Sequence, residues 1–373
     1  MKIRDFGVEM WMAKYENEAI YNIAETCVAS ITVDELLEMA NMKTEAFEKI
    51  SQMKMTYGAI EGSTDLRSEI SKLFNAVELD NITVTHGTIG ANSLAYDVLV
   101  EPGDHVISVL PTYQQHYSIP ESLGAVVDIL PLKWENEFLP DIEELKSLIK
   151  PNTKMISINN PNNPTGAVMD ADLLMKIVEI AKSVDAYILC DEVYRGLDHT
   201  AGFTPSIVDL YEKGISTGSL SKTYSLAGLR IGWLVGPKDL IVNSNKRRDY
   251  NIISCGMIDD YLATIALKNK SKILERSLSI VRNNIEILDK WVKHSKYVEY
   301  IRPKGGTTAF LKYDRDIRSE ELCKDILEKT GVMLVPGSAL DMESYLRVGY
   351  ANSTEVLNEG LSRLQKYFDE NWK

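Results

Sequence analysis

Short apolar runs alternate along the first two thirds of the chain with longer stretches in which apolar positions recur every three or four residues. ITVTH (82–86), HVISVL (105–110), AVVDIL (125–130), KMISI (154–158), AYILCD (186–191), ISTGS (215–219) and RIGWLVG (230–236) read as strands. IGANSLAYDVLV (89–100) and residues 170–184 read as helices between them. Helices are also expected over 31–50 and over 62–75. The second of these starts at Ser63 or Thr64, with Asp65 and Glu69 in its early turns, where acids are favoured. Strands separated by helices make βαβ units, so the chain is expected to be α/β with a mostly parallel seven-stranded sheet between helices. After residue 240 the pattern changes. Residues 257–296 are helical without a proline, followed by strands near 298–302, 307–313 and 345–350 and helices near 319–329 and 353–370. This reads as a smaller α+β unit.

Composition narrows the function classes. With 373 residues, 45% hydrophobic and 25% charged, the chain is an ordinary globular one. A net charge of −13 repels phosphate backbones and argues against nucleic acid. No apolar run reaches the ~18 residues of a membrane span, and MKIRDFGVEMWMAKYENE does not read as a secretory leader. The expectation is a cytoplasmic protein with no membrane partner. Cys27, Cys190, Cys255 and Cys323 are far apart and read as reduced thiols, and the five histidines show no paired spacing, so no metal is expected.

Open parallel sheets bind ligands beyond the carboxyl ends of their strands. There the sequence places His86-Gly87-Thr88-Ile89-Gly90, a strand-to-helix turn whose N–H groups suit an anion. An ordinary turn would read the same, but its spacing is not the dinucleotide GxGxxG. The loop NNPNNPTG (159–166) brings four asparagines to the same edge. Asp191 ends a buried strand and needs a partner, either a cation or a protonated ring nitrogen. Lys222, in SLSK (219–222), is either an ion-paired lysine or a Schiff-base lysine. SxxK also occurs in penicillin-recognising serine enzymes, but the SDN triplet of that group is missing. Arg230 and Arg347 each offer a fork suited to phosphate or carboxylate, or to a structural ion pair.

Taken together, YGAIEG (57–62), PTY (111–113), NNPTG (162–166), DEVY (191–194), SLSK (219–222), AGLRIGW (227–233) and LRVGYANS (346–353) resemble the class I/II aminotransferases, pyridoxal-phosphate enzymes of fold type I. The resemblance covers about residues 31–372. It implies a large cofactor-binding domain over 45–275, and a small domain made of 276–373 and residues 1–44 with their N-terminal arm. It implies an aminotransferase that moves an α-amino group from an amino acid to a 2-oxo acid. Lys222 would carry pyridoxal 5'-phosphate as a Schiff base, with its amine neutral near pH 7 and its pKa lowered. Asp191 would hold the ring nitrogen, Tyr194 and Asn163 the phenolate oxygen, and Tyr113 a ring face. Gly87, Thr88, Ile89, Ser219 and Arg230 would hold the phosphate, and Tyr57 would reach the phosphate of the other subunit of a homodimer with shared active sites. Arg347 would grip the substrate carboxylate.

The stretch YNIAETCVAS (21–30) stands where many members carry a glycine-containing loop that closes on substrate. Its Glu25 reads either as a solvated acid or cap, or as a substrate-binding group that meets a basic side chain. The spacing Trp11…Tyr15…Ala19 is similar to the start of capreomycidine synthase, an arginine-derivative cyclase of the same fold. A lyase, oxidase or cyclase on the same cofactor is therefore the alternative activity. A ligand-sensing regulator half and a dehydrogenase fit less well, lacking respectively a DNA-binding domain and the glycine fingerprint.

Overall fold

The computed structural model describes residues 2–200 and 203–372. Seven strands build the central sheet: β1 (Ile82–His86), β2 (His105–Leu110), β3 (Val126–Pro131), β4 (Thr153–Asn159), β5 (Tyr187–Asp191), β6 (Gly214–Ser219) and β7 (Ile231–Val235). Their order is β1-β7-β6-β5-β4-β2-β3. Every pair is parallel except those made by β7, which runs antiparallel to both β1 and β6. Helices cover both faces, which is why β5 and β6 read as continuous buried runs rather than as alternating ones.

Local chemistry sets the helix ends. Ser63 Oγ accepts from the Leu66 N–H at 3.1 Å, and Asp170 from the Leu173 N–H at 2.9 Å. Asp141 caps Ile142–Leu148 by accepting from the Glu143 and Glu144 N–H groups. The expected single helix over 257–296 is two, Met257–Lys268 and Lys270–His294. The break is Asn269, at φ −108° and ψ 17°. Its side-chain amide donates to the Ile265 carbonyl at 3.0 Å, so the side chain competes with the backbone for a helical acceptor.

The smaller unit centres on β8 (Thr308–Tyr313) and β9 (Tyr345–Gly349), an antiparallel pair. The two-residue strands Val335–Pro336 and Val298–Glu299 flank it, so the strand expected at 298–302 is much shorter than its apolar run. Phe310 and Tyr345 stack at 4.5 Å across the pair.

Two helices shape the site: α1 (Gly7–Tyr15) and α2 (Gly87–Leu99). The first belongs to the N-terminal segment. Trp11 and Tyr15, one turn apart, pack at 4.4 Å, and Trp11 Nε1 donates to the Leu334 carbonyl at 2.7 Å. At its other end the Gly7 N–H donates to Gln114 Oε1 at 2.8 Å. The helix thus bridges the C-terminal unit and the β2 side of the large sheet. Tyr21–Asn22 then pairs parallel with Val332–Met333. Gly349 lets the next residues lie against β9, because a Cβ there would sit 1.7 Å from the Glu25 carbonyl oxygen. Among the described residues no helix is long and apolar enough to cross a membrane.

Candidate active site

A cavity of about 310 Å³ opens at the carboxyl edge of the large sheet. Asp191, the last residue of β5, and Ser219, the last of β6, line it, and Lys222 follows three residues after Ser219. Thr88 and Ile89, in the first turn of α2, contribute the neighbouring wall. Arg230 lines it too, but precedes its strand rather than following one. Because β7 is antiparallel, its beginning falls on the edge where the parallel strands end. Tyr113, Asn163 and Tyr194 come from loops, Arg347 from β9, and Glu25 from the strap after Tyr21–Asn22.

Asp191 is 4% exposed and well held. Its Oδ2 accepts from Asn92 Nδ2 at 2.8 Å and lies 3.5 Å from His116 Nε2; its Oδ1 accepts from the Val193 N–H at 3.0 Å. Asn92 is fixed in turn by Thr217, whose hydroxyl donates to Asn92 Oδ1 at 2.6 Å. Of the loop asparagines, Asn160 and Asn162 brace backbone, donating to the Met169 and Pro111 carbonyls. Asn163 alone faces Arg347, accepting from Nη1 at 3.4 Å.

Lys222 Nζ donates to Thr26 Oγ1 at 2.5 Å and lies 3.5 Å from Cys27 Sγ. The lowered amine pKa expected from the sequence is not what the chain builds. Burial disfavours the ammonium, but Cys27, Tyr194 and Glu25 outweigh it, and the net direction is upward. Burial also pushes the Cys27 thiol and the Tyr194 phenol up, so both are neutral near pH 7. The charges that act on Lys222 there are therefore the Glu25 carboxylate, which favours the ammonium, and the Arg347 guanidinium, which opposes it. Burial would raise the Glu25 carboxyl, but Lys222 and the N–H groups of Cys27 and Thr26 bring it below its ordinary value. Those N–H groups donate to Glu25 Oε1 at 3.2 and 2.9 Å.

Thr88 Oγ1 and Arg347 Nε are buried without a hydrogen-bond partner. Arg347, 2% exposed, otherwise donates only weakly to Asn163 and to the Ala24 carbonyl at 3.1 Å. Both side chains line the cavity, and such donors are costly to leave unpaired, so they mark places for an acceptor. Gly87 does not line the cavity but shapes it: its φ is +69°, and a Cβ would meet Arg230 Nη2 at 2.8 Å. Tyr57 lies outside the cavity and is 78% exposed.

The family model for aminotransferase class I and II matches residues 30–364. The chain belongs to the class I and II aminotransferases. It is a pyridoxal-phosphate-dependent aminotransferase of fold type I, moving an α-amino group from an amino acid to a 2-oxo acid. It is 31% identical to an aspartate aminotransferase of Pyrococcus horikoshii, over 87% of this chain and 86% of that one. It is 29% identical to capreomycidine synthase of Streptomyces vinaceus, over 96% and 92%. A crystal structure of a PLP-dependent aminotransferase from Streptococcus suis superimposes with a TM-score of 0.96, at 45% identity and 99% coverage of each chain.

For this aminotransferase the sequence reading missed several cavity residues. Asn92 had a signal, since it stands four residues after Thr88 and so shares its helix face. Thr26 and Cys27 sit beside Glu25 in the strap, and their proximity to Lys222 is visible only in three dimensions. Val8, Glu9, Met12 and Glu16, all from the α1 region, also line the cavity. Nothing in their local pattern places them at the sheet edge.

Proposed function

We propose that this cavity is where the aminotransferase binds pyridoxal phosphate and its amino acid, with Lys222 as the Schiff-base lysine. The cofactor supplies an electron sink when bound. The juxtaposition of Lys222 and Asp191 in one cavity carries the reading. Asp191, oriented by Asn92, would keep the ring nitrogen protonated. The unpartnered hydroxyl of Thr88, with Ser219 and Arg230, suits a phosphate, as do the N–H groups at the start of α2 about Gly87 and Ile89. Tyr194 and Asn163 would hydrogen-bond the phenolate oxygen, and Tyr113 would cover a ring face. Arg347, with its free Nε, would take the substrate α-carboxylate.

Lys222 would take and return the proton at the substrate α-carbon once its amine is released from the cofactor. Glu25 opposes that role by favouring the ammonium over the free amine. Glu25 thus acts first on Lys222 and contributes to the acidic lining met by substrate.

The enzyme is proposed to be a cytoplasmic homodimer in which Tyr57 reaches the other subunit's phosphate. Exposed Met55, Tyr57 and Ile60 support such an interface. The large domain is proposed to span 45–275 and the small one 276–373 with 1–44, residues 1, 201, 202 and 373 lying outside the described ones. The pairing of Tyr21–Asn22 with Val332–Met333 supports joining the two terminal segments.

Lys222→Ala tests the central assignment. The purified variant, mixed with pyridoxal phosphate and freed of excess, is expected to lack the visible imine band and to resist reduction by borohydride. A retained band would assign the anchor to another lysine.

A further inference from the structure

The charges around the cavity divide unevenly. With the cavity assigned as proposed, Lys222, Arg230 and Arg347 serve the cofactor and the substrate carboxylate, and Asp191 serves the ring nitrogen. The role of the remaining charges rests on that assignment. No further lysine or arginine lines the cavity among the described residues. Among the described residues, a substrate with a second carboxylate finds no third arginine or spare lysine in this lining. Three acids remain: Glu9, Glu16 and Glu25. Glu25 is engaged by two backbone N–H groups and by the field of Lys222.

The other two lie on or just after α1. Glu9, Met12 and Glu16 are spaced by three and four residues and so share one helix face. Glu9 Oε1 accepts from the Tyr113 hydroxyl at 2.7 Å, which fixes that carboxylate at the wall beside Tyr113. Val8 and Met12 supply apolar surface in the same part of the lining. In the same cavity Arg347, buried and with an unpartnered Nε, awaits an anion. A carboxylate receptor, an apolar stretch and a pair of carboxylates together describe a ligand with an anionic head, an aliphatic stem and a cationic end.

We propose that α1 is the specificity element of this aminotransferase, and that Glu9 and Glu16 select an α-amino acid whose aliphatic side chain ends in a guanidinium or ammonium group. The substrate stem lies along Val8 and Met12. Its α-carboxylate is held by Arg347. Glu9 and Glu16 act by binding and take no part in proton transfer.

The test uses holoenzyme and two acids that lack an α-amino group and cannot react: 5-guanidinopentanoate and hexanoate. Calorimetry is expected to give at least about tenfold tighter binding of the guanidino acid, the scale of one charge-assisted contact. In Glu16→Gln, and more fully in Glu9→Gln/Glu16→Gln, that ratio falls towards one. Equal binding of the two acids to the wild type, or a ratio unchanged in both variants, overturns the proposal. The single Glu16→Gln variant keeps the test valid if loss of the Tyr113 contact unfolds the double one. A donor panel separates the two levels of the argument. Conversion of bound cofactor by L-norleucine or L-glutamate but not by L-arginine or L-lysine refutes the specificity claim alone. Conversion by no amino acid refutes the assignment of the cavity as well.

Discussion

Asn92 is the residue on which the placement of Asp191 most depends, and Asn92→Leu removes its amide while keeping the same branched skeleton, with larger methyl groups in place of the amide atoms. Three contacts are lost, the weakest being a donation to Gln115 Oε1 at 3.3 Å. The amide donates to the Asp191 carboxylate at 2.8 Å, a hydrogen bond to a charged acceptor worth about 1.5–3 kcal/mol. Its carbonyl accepts from Thr217 at 2.6 Å, and a buried hydroxyl left unpaired costs about 1–3 kcal/mol. Asn92 and Thr217 are 0% exposed, so the Thr217 hydroxyl has no ready replacement partner, whereas the Asp191 carboxylate lines the cavity. The contacts share one side chain and do not add fully, so a loss near 3 kcal/mol is expected, about a hundredfold in the unfolding equilibrium. Urea unfolding of the cofactor-free protein, followed by fluorescence, measures it. Asp191 keeps the Val193 N–H but loses the contact that aims Oδ2. A fluorescence titration should therefore show pyridoxal phosphate binding weakened by about tenfold or more. A stability loss under ~1 kcal/mol with unchanged cofactor affinity would show that Val193 and His116 hold Asp191 without Asn92, and would refute the reasoning.

Two further predictions concern the strap. The Glu25 carboxyl is depressed in the folded chain, so its stabilisation is present above the ordinary carboxylate range and is lost as pH falls through the folded value. Glu25→Gln should flatten the acid side of the stability profile between neutral and low pH. By removing the charge that favours the Lys222 ammonium, it should also shift the pH dependence of cofactor capture to lower pH; stopped-flow absorbance after mixing with pyridoxal phosphate measures this. An unshifted profile would mean that Glu25 does not govern the amine. Gly349→Ala places a methyl 1.7 Å from the Glu25 carbonyl, which forces the strap off β9. Destabilisation of about 1–3 kcal/mol or more is expected, with a larger fall in cofactor capture than an Ala substitution at exposed Gly103 produces. A melting temperature and capture rate equal to wild type would show that the strap is free to move.

The large sheet was legible because its strands are buried on both faces and so announce themselves as apolar runs ending in turn residues. The cap Ser63 was legible from local chemistry, since a short oxygen-bearing side chain satisfies N–H groups two or three residues ahead. The break at Asn269 was not. Periodicity continues across it, and only the competition of its amide for the Ile265 carbonyl interrupts the helix. The residues that end strands, Asp191 and Ser219, could be placed on one edge from the strand pattern alone.

By itself the sequence determined the α/β architecture, the family, and the lysine and aspartate at the sheet edge, because these follow from local periodicity and from motifs with fixed spacing. Tertiary structure decided what surrounds them. Arg230 reaches the site because β7 runs backwards, and the charge felt by Lys222 is set by a strap from nearly two hundred residues earlier in the chain. Glu9 and Glu16 belong to the cavity because Trp11 and Gly7 tie α1 to partners more than one hundred residues away. Electric fields and steric walls depend on distance in space, and sequence separation carries no record of that distance until the chain has folded.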